Sequence, residues 1–285
     1  MRRTAVSEAL TMCLILVAWR VHPNFPCVVA ANRDEFFGRP TAEADWWPGR
    51  AGILAGRDLQ AGGTWLGVTR GGRFAALTNF RDPAALVADA PSRGALVTGF
   101  LEANGSIAAG LKEIARRGAG CNPFNIFCSD GAELGIYEST TATARTLDPG
   151  VYALSNHLLD TPWPKVKQAK SRLAEALNDL PKAAAMLDLL RDAEPAADEE
   201  LPRTGVSLEM ERMLSSAFIH GETYGTRCSS IMTCDTDGGV AFSEWSWDEE
   251  GALAGMARYH FQKGAGPEAR PRIRSSGGCG CAAIG

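Results

Sequence analysis

No apolar run in this 285-residue sequence reaches the roughly 18 residues that a membrane-spanning helix needs. Neither sign of charge dominates. Its 29 basic and 33 acidic residues leave a net charge of −4 at pH 7 and an isoelectric point near 5.7, which favours neither nucleic acid nor an anionic membrane surface. None of the eight cysteines stands in a C-x-x-C pair, and the four histidines fall in no zinc-type spacing, which argues against a structural zinc site. The Gly62-Gly63-Thr64-Trp65 stretch is not followed by the Lys of a phosphate loop. No glycine-rich dinucleotide fingerprint follows a strand, and no G-x-S-x-G elbow is present. No internal repeat marks a solenoid.

Export is also poorly supported. Arg2-Arg3 precede the first apolar run, but Glu8 interrupts the approach and no small-residue cleavage site follows. A lipoprotein reading of Leu10-Thr11-Met12-Cys13 fails on Met12, where a small residue is needed. The expected location is cytoplasmic, and there the cysteines are expected to be reduced. Cys27, Cys128 and Cys234, inside strand-like runs, read as small buried hydrophobes.

What is present is an ordinary globular composition, 45% apolar and 22% charged, enough for one sizeable core. Residues 1–11 read as a disordered leader or an over-long start, 12–263 as one domain, and 264–285, rich in Gly, Pro and Arg, as a disordered tail. Strands are expected over 13–20, 27–33, 53–56, 64–69 and 73–79, then 124–128, 133–138 and 151–155, and finally 228–234, 239–247 and 254–262. Helices are expected over 92–103, capped by Ser92, and over 106–117, 164–178 and 183–192, with an acidic linker at 193–203. Strands followed by helices in blocks indicate an α+β fold.

The first two strands make a hairpin around His22 to Pro26, with a thiol, Cys13, at one strand start and Asn32-Arg33-Asp34 at the end of its neighbour. Alternation puts Asn32 and Asp34 on one face and Arg33 on the other. Adjacent Trp46 and Trp47 likewise point to opposite faces, one to the core and one to a cleft, and the turn at 62–64 delivers Trp65 to a pocket wall.

The stretch AANRDEFFGRP at 30–40, AGRDLQAGGTWLGVT at 55–69, ALTNFRDP at 76–83, YALSNH at 152–157 and YGTRCS at 224–229 together resemble the NRDE family, also called the transport and Golgi organisation protein 2 family. The resemblance runs from Met12 to about residue 262. More distantly, the order of motifs is similar to N-terminal-nucleophile cysteine hydrolases of the penicillin V acylase and bile salt hydrolase type. It implies a four-layer αββα sandwich with an apolar cleft opening at Cys13 and, position by position, a catalytic set of Cys13, Asp34, Asn79, Asn156 and Arg227. Those hydrolases carry an arginine just ahead of N-x-D where this chain has Ala31.

If translation starts at Met12, removal of that Met gives Cys13 both a thiol and a free α-amine. An α-amine titrates near ~7.7–8.0 and can take the thiol proton at neutral pH. In that reading Arg227 favours the thiolate, Asp34 orients the amine, Asn79 donates to the oxyanion, and Asn156 positions the amine or the substrate carbonyl. The competing readings are a buried strand cysteine at 13, a solvated charge run or internal salt bridge at 33–35, and a plain turn at 224–227. Two functions follow from the resemblance: an amidase or acylase acting on a small amide, or a non-enzymatic protein that binds and handles haem, lipid or acyl-CoA. Neither requires a resident cofactor.

Overall fold

The computed structural model describes residues 13–50 and 52–264. The expected leader over 1–11, Met12, and the expected tail apart from Gly264 lie outside the described residues. Thirteen strands form two antiparallel sheets. The six-stranded sheet runs, edge to edge, β10 (Gly150–Leu154), β1 (Cys13–Trp19), β2 (Cys27–Phe36), β11 (Tyr224–Cys234), β12 (Gly239–Trp247) and β13 (Leu253–Gln262). The seven-stranded sheet is a meander of β3 (Thr41–Trp46), β4 (Ile53–Asp58), β5 (Leu66–Thr69), β6 (Phe74–Asn79), β7 (Phe124–Ser129), β8 (Leu134–Glu138) and β9 (Thr143–Thr146).

Alternation along the strands explains the layering. Ile15, Val17, Val29, Leu54, Val68, Phe127 and Phe242 face inward and fill the core between the sheets. Leu14, Leu16, Val28 and Ala30 face outward and are covered by α3 (Pro164–Ala176) and α4 (Ala184–Leu190) through Val166, Leu173, Met186 and Leu190. The outer face of the other sheet is covered by α1 (Gly94–Glu102) and α2 (Ile107–Gly118) through Leu96, Phe100, Leu111 and Ile114. The result is the expected α+β sandwich, helices–sheet–sheet–helices.

The β1–β2 hairpin forms as read from the sequence, with Cys13 directly opposite Arg33. Two edge strands do not show in the sequence pattern. β3 carries Glu43 and Asp45 and slips register between Ala42 and Asp45, while β9 (Thr-Ala-Arg-Thr) is largely exposed, so neither has clean alternation. The helix α5 (Leu208–Met213) is also hidden, because six residues are too few for a 3.6-residue period to emerge. Ser92 does not cap α1. Arg93 holds the cap position without a side-chain bond, because the helix start is pressed against the turn before β5. A Cβ on Gly63 would lie 2.5 Å from the Gly94 carbonyl carbon, so the two glycines let that turn and that helix meet.

Candidate active site

The strand ends collect at one side of the molecule around a cleft of about 610 Å³. Cys13, Asp34, Asn79 and Arg227 line it, together with Arg33, Glu35, Trp65, Cys228 and Glu244. Trp65 therefore stands where the sequence put it. Trp46 and Trp47 do diverge, but Trp46 packs on the inter-sheet core and Trp47 on the outer core, and neither reaches the cleft. The cleft is mixed rather than simply apolar: Phe36, Trp65, Leu77 and Trp247 share its lining with charged groups. Arg33 and Glu35 come from β2, Arg227 from β11, Glu43 from β3, Arg57 and Asp58 from β4 and Glu244 from β12, with Arg39 and Arg93 from the adjoining turns.

Cys13 is 8% exposed. Its backbone N–H donates to Asn156 Oδ1 at 3.2 Å, and its carbonyl accepts from Ser155 Oγ at 3.1 Å. Asn156 Nδ2 donates in turn to the Asn79 carbonyl at 2.9 Å, and the Asn156 carbonyl accepts from the Arg81 backbone at 2.8 Å. Asn156 thus ties the Cys13 nitrogen to the end of β6, across the two sheets. Burial pushes the Cys13 thiol up to about 12, helped by the Asp34 charge and opposed by Arg33 and a main-chain hydrogen bond from Asp34. With a peptide bond on its nitrogen, Cys13 is a neutral thiol at physiological pH.

Asp34 is 1% exposed. Its Oδ1 accepts from Thr226 Oγ1 at 2.7 Å, and its Oδ2, fully buried, has no hydrogen-bond partner among the described residues. Burial raises this carboxyl to about 6 against the fields of Lys165 and Arg33 and the Thr226 bond. Lys165, wholly buried on α3, donates to the Leu214 carbonyl at 2.9 Å; burial lowers it to about 8 although Asp34 and Cys13 favour its charge. Asn32, on the same face of β2 as Asp34, donates to the Leu190 and Ala217 carbonyls at 2.7 and 2.8 Å. The alternation read from the sequence holds.

The run at 33–35 is not solvated. Arg33, Asp34 and Glu35 are 7%, 1% and 6% exposed, and Arg33 Nη2 pairs with Glu35 Oε2 at 3.4 Å. The sheet is covered on both faces, so alternation sends the charges to two buried environments rather than one wet one. Cys13 and Cys228 each pair in register with Arg33, from β1 and β11 on either side of β2, and the three side chains form a row opening on the cleft. Arg33 shares a face of β2 with Ala31 and stands one pleat further on. Its Nη1 is buried without a hydrogen-bond partner among the described residues.

Arg227 reaches the same cleft but is differently engaged. Its Nη1 donates to the carbonyls of Phe36, Phe37 and Arg39 at 2.9, 3.0 and 3.2 Å, clamping the turn after β2. The Arg33 field, and not that of Arg227, lowers the Cys13 thiol against burial. Arg33→Gln should therefore move alkylation of the Cys13 peptide by iodoacetamide to higher pH, while Arg227→Ala leaves that profile near wild type. Peptide-resolved mass spectrometry over a pH series checks both; a shift in the Arg227 variant alone would reverse the assignment.

Lys165, Thr226 and Glu244 do not stand out in the sequence. Glu244, 3% exposed, accepts from the Ala44 backbone at 2.7 Å and Ser230 Oγ at 3.1 Å, and the Cys228 thiol also bonds to it. Lys165 has a signal available. It precedes Ala169 by four residues and so lies on the buried stripe of α3 that continues through Leu173 and Ala176.

The family signature described as Transport and Golgi organisation 2 matches residues 12–249. The human Transport and Golgi organization protein 2 homolog is 35% identical over 257 residues, covering 82% of this chain and 93% of that protein. The mouse homolog is 33% identical over 258 residues with the same coverage. Among solved structures, a mutant conjugated bile acid hydrolase from Clostridium perfringens is similar at 11% identity and a TM-score of 0.43, covering 93% of this chain and 96% of that one. That score is too low to bear on activity. The family match spans every motif at the cleft, the two mammalian relatives each cover 82% of the chain, and the chain belongs to the Transport and Golgi organisation 2 family.

Proposed function

We propose that the protein, once Cys13 is its N-terminal residue, is a cysteine amidase or acylase acting on a small amide. The observation that supports this most is the environment of the Cys13 nitrogen: Asn156 Oδ1 stands 3.2 Å away, and the unpartnered Oδ2 of buried Asp34 belongs to the same cleft. A free α-amine carries more N–H donors than the amide, and Asp34 Oδ2 is an acceptor left unused among the described residues of that cleft. The family match begins at residue 12, immediately ahead of Cys13.

The α-amine takes the Cys13 proton, and the sulfur attacks the substrate carbonyl carbon. Negative charge passes to the carbonyl oxygen, held by the Asn79 side-chain amide. The tetrahedral adduct then collapses with the C–N bond breaking, and the leaving amine takes the proton back from the α-ammonium. Water, deprotonated by the same amine, hydrolyses the thioester and regenerates the thiol. Asp34 holds the amine in orientation, with Arg33 favouring the thiolate.

Asn79→Ala should lower turnover about 10²–10³-fold with little change in KM, since the oxyanion exists only after attack. The assay is release of a chromogenic amine from a panel of small N-acyl amides. An Asn79 variant with wild-type turnover would remove it from the oxyanion.

A second reading has its own support. While residue 12 remains attached, the Cys13 thiol is held up to about 12 with no amine beside it, and the cleft is then only a binding site. Its paired arginines and carboxylates suit a polar acyl conjugate better than haem. The only side chains of the usual haem-ligand types lining the cleft among the described residues are the thiols of Cys13 and Cys228, which burial keeps protonated.

A further inference from the structure

Cys27 and Cys234 take no part in the cleft. Cys27 opens β2 and Cys234 closes β11, and the two are direct register partners in neighbouring antiparallel strands. Their thiols hydrogen-bond to each other. Such partners have Cα atoms about 4.5–5.5 Å apart, inside the ~4.4–6.8 Å range that a disulfide spans. No other pair among the described cysteines is joined this way. Cys13 and Cys228 are separated by the whole of β2; Cys128 and Cys121 belong to the cluster under α1 and α2, where the register partners of Cys128 are Ala75 and Gly135.

We propose that Cys27 and Cys234 are a dithiol–disulfide couple, a second reactive site that exchanges with low-molecular-weight disulfides of the glutathione type. Cys234 is the attacking thiol; it is 3% and Cys27 6% exposed, so exchange follows opening of the strand ends that carry them. The hydrogen bond from Cys27 and the field of Lys263, which follows β13, lower it from the ordinary thiol value, whereas Cys27 is raised. The site lies at the sheet end opposite Cys13: Cys27 pairs with Trp19, six residues along β1 from Cys13, a separation of about 20 Å at the strand rise. The couple is therefore independent of the proposed amidase chemistry.

The exchange balances in two steps. Cys234 thiolate attacks one sulfur of the disulfide, forming a mixed disulfide and expelling a thiolate that takes up the Cys234 proton from solvent. Cys27 then loses its proton to solvent and attacks the Cys234 sulfur, expelling the second small thiolate, which is protonated in turn. Two protein thiols are oxidised to one disulfide while the small disulfide is reduced to two thiols.

The bridge would join strands that carry Arg33-Asp34 and Thr226-Arg227 at their far ends, closing a loop of about 200 residues. The test incubates the folded full-length chain with oxidised glutathione, quenches with N-ethylmaleimide and maps the peptides. The expected result is a Cys27–Cys234 crosslinked peptide and a melting temperature several degrees above the reduced chain, reversed by dithiothreitol. In Cys27→Ser the bridge is lost and Cys234 keeps a single glutathione adduct. Four outcomes overturn the proposal: both cysteines recovered as maleimide adducts, a crosslink that forms only after denaturant is added, a stable glutathione adduct on Cys234 of the wild-type chain, or a Cys27→Ser variant with Cys234 unmodified.

Discussion

Cys13→Ser should abolish acyl-probe labelling at the cleft and reduce amide turnover by ~10³-fold or more while leaving the melting temperature within a few degrees of wild type. The size follows from the chemistry. A hydroxyl is a far weaker nucleophile than the thiolate, and one amine base does not bring it to the same reactivity. The fold should hold because the main chain of residue 13, not its sulfur, carries the bonds to Asn156 and Ser155. Serine also fits the row beside Arg33. Peptide mapping of the labelled protein is the check. Label that persists at full stoichiometry on Cys228, in the same cleft, would mean that Cys228 is the reactive thiol.

The largest stability effect is expected at Arg81. Its guanidinium is 1% exposed, pairs with Glu211 at 2.7 Å and lies 4.7 Å from the ring centroid of Trp163. Glu211, from α5, also accepts from the Thr204 backbone at 2.8 Å and Thr204 Oγ1 at 2.7 Å. Arg81→Met leaves that carboxylate buried without its cation, and a cost of ~3–5 kcal/mol is expected. The double variant Arg81→Met/Glu211→Gln should recover most of the loss, because the amide oxygen still accepts from Thr204 and no charge is left unpaired. Urea unfolding of wild type, both single variants and the double variant measures this. Equal loss in Arg81→Met and the double variant would show that the cost is one of packing.

The frame of the fold is open to reading in the sequence and the environment of the site is not. Alternation gives the β1–β2 hairpin, the opposed faces of Arg33 and Asp34, and the helix pairs, because each depends on spacing within one segment. The strands that escape it, β3 and β9, lie at sheet edges, where one side of the ladder is open and polar residues are tolerated. Arg33, Asp34 and Glu35 look like a wet charge run in one dimension. Only the stacking of helices on one face of β2 and a second sheet on the other shows that both sets are buried. Arg227 illustrates the same limit: its place in YGTRCS puts it at the cleft, but its bonds to three carbonyls come from a turn nearly 190 residues away in sequence. Lys165 is the reverse case, since its helical spacing marks a buried position and only its charge disguises it.

Cys13 acting as a nucleophile with its own α-amine as base is the step on which the proposed activity depends. One measurement meets it directly: the intact mass of the mature protein before and after treatment with a thiol-reactive acyl probe, with the N-terminal peptide sequenced. The expected result is a chain that begins at Cys13 and gains an acyl group mapped to that residue, with no such gain when residue 12 is still attached. A chain that acylates Cys13 equally well with residue 12 in place, or one that begins at Cys13 and takes up no label there, would contradict it.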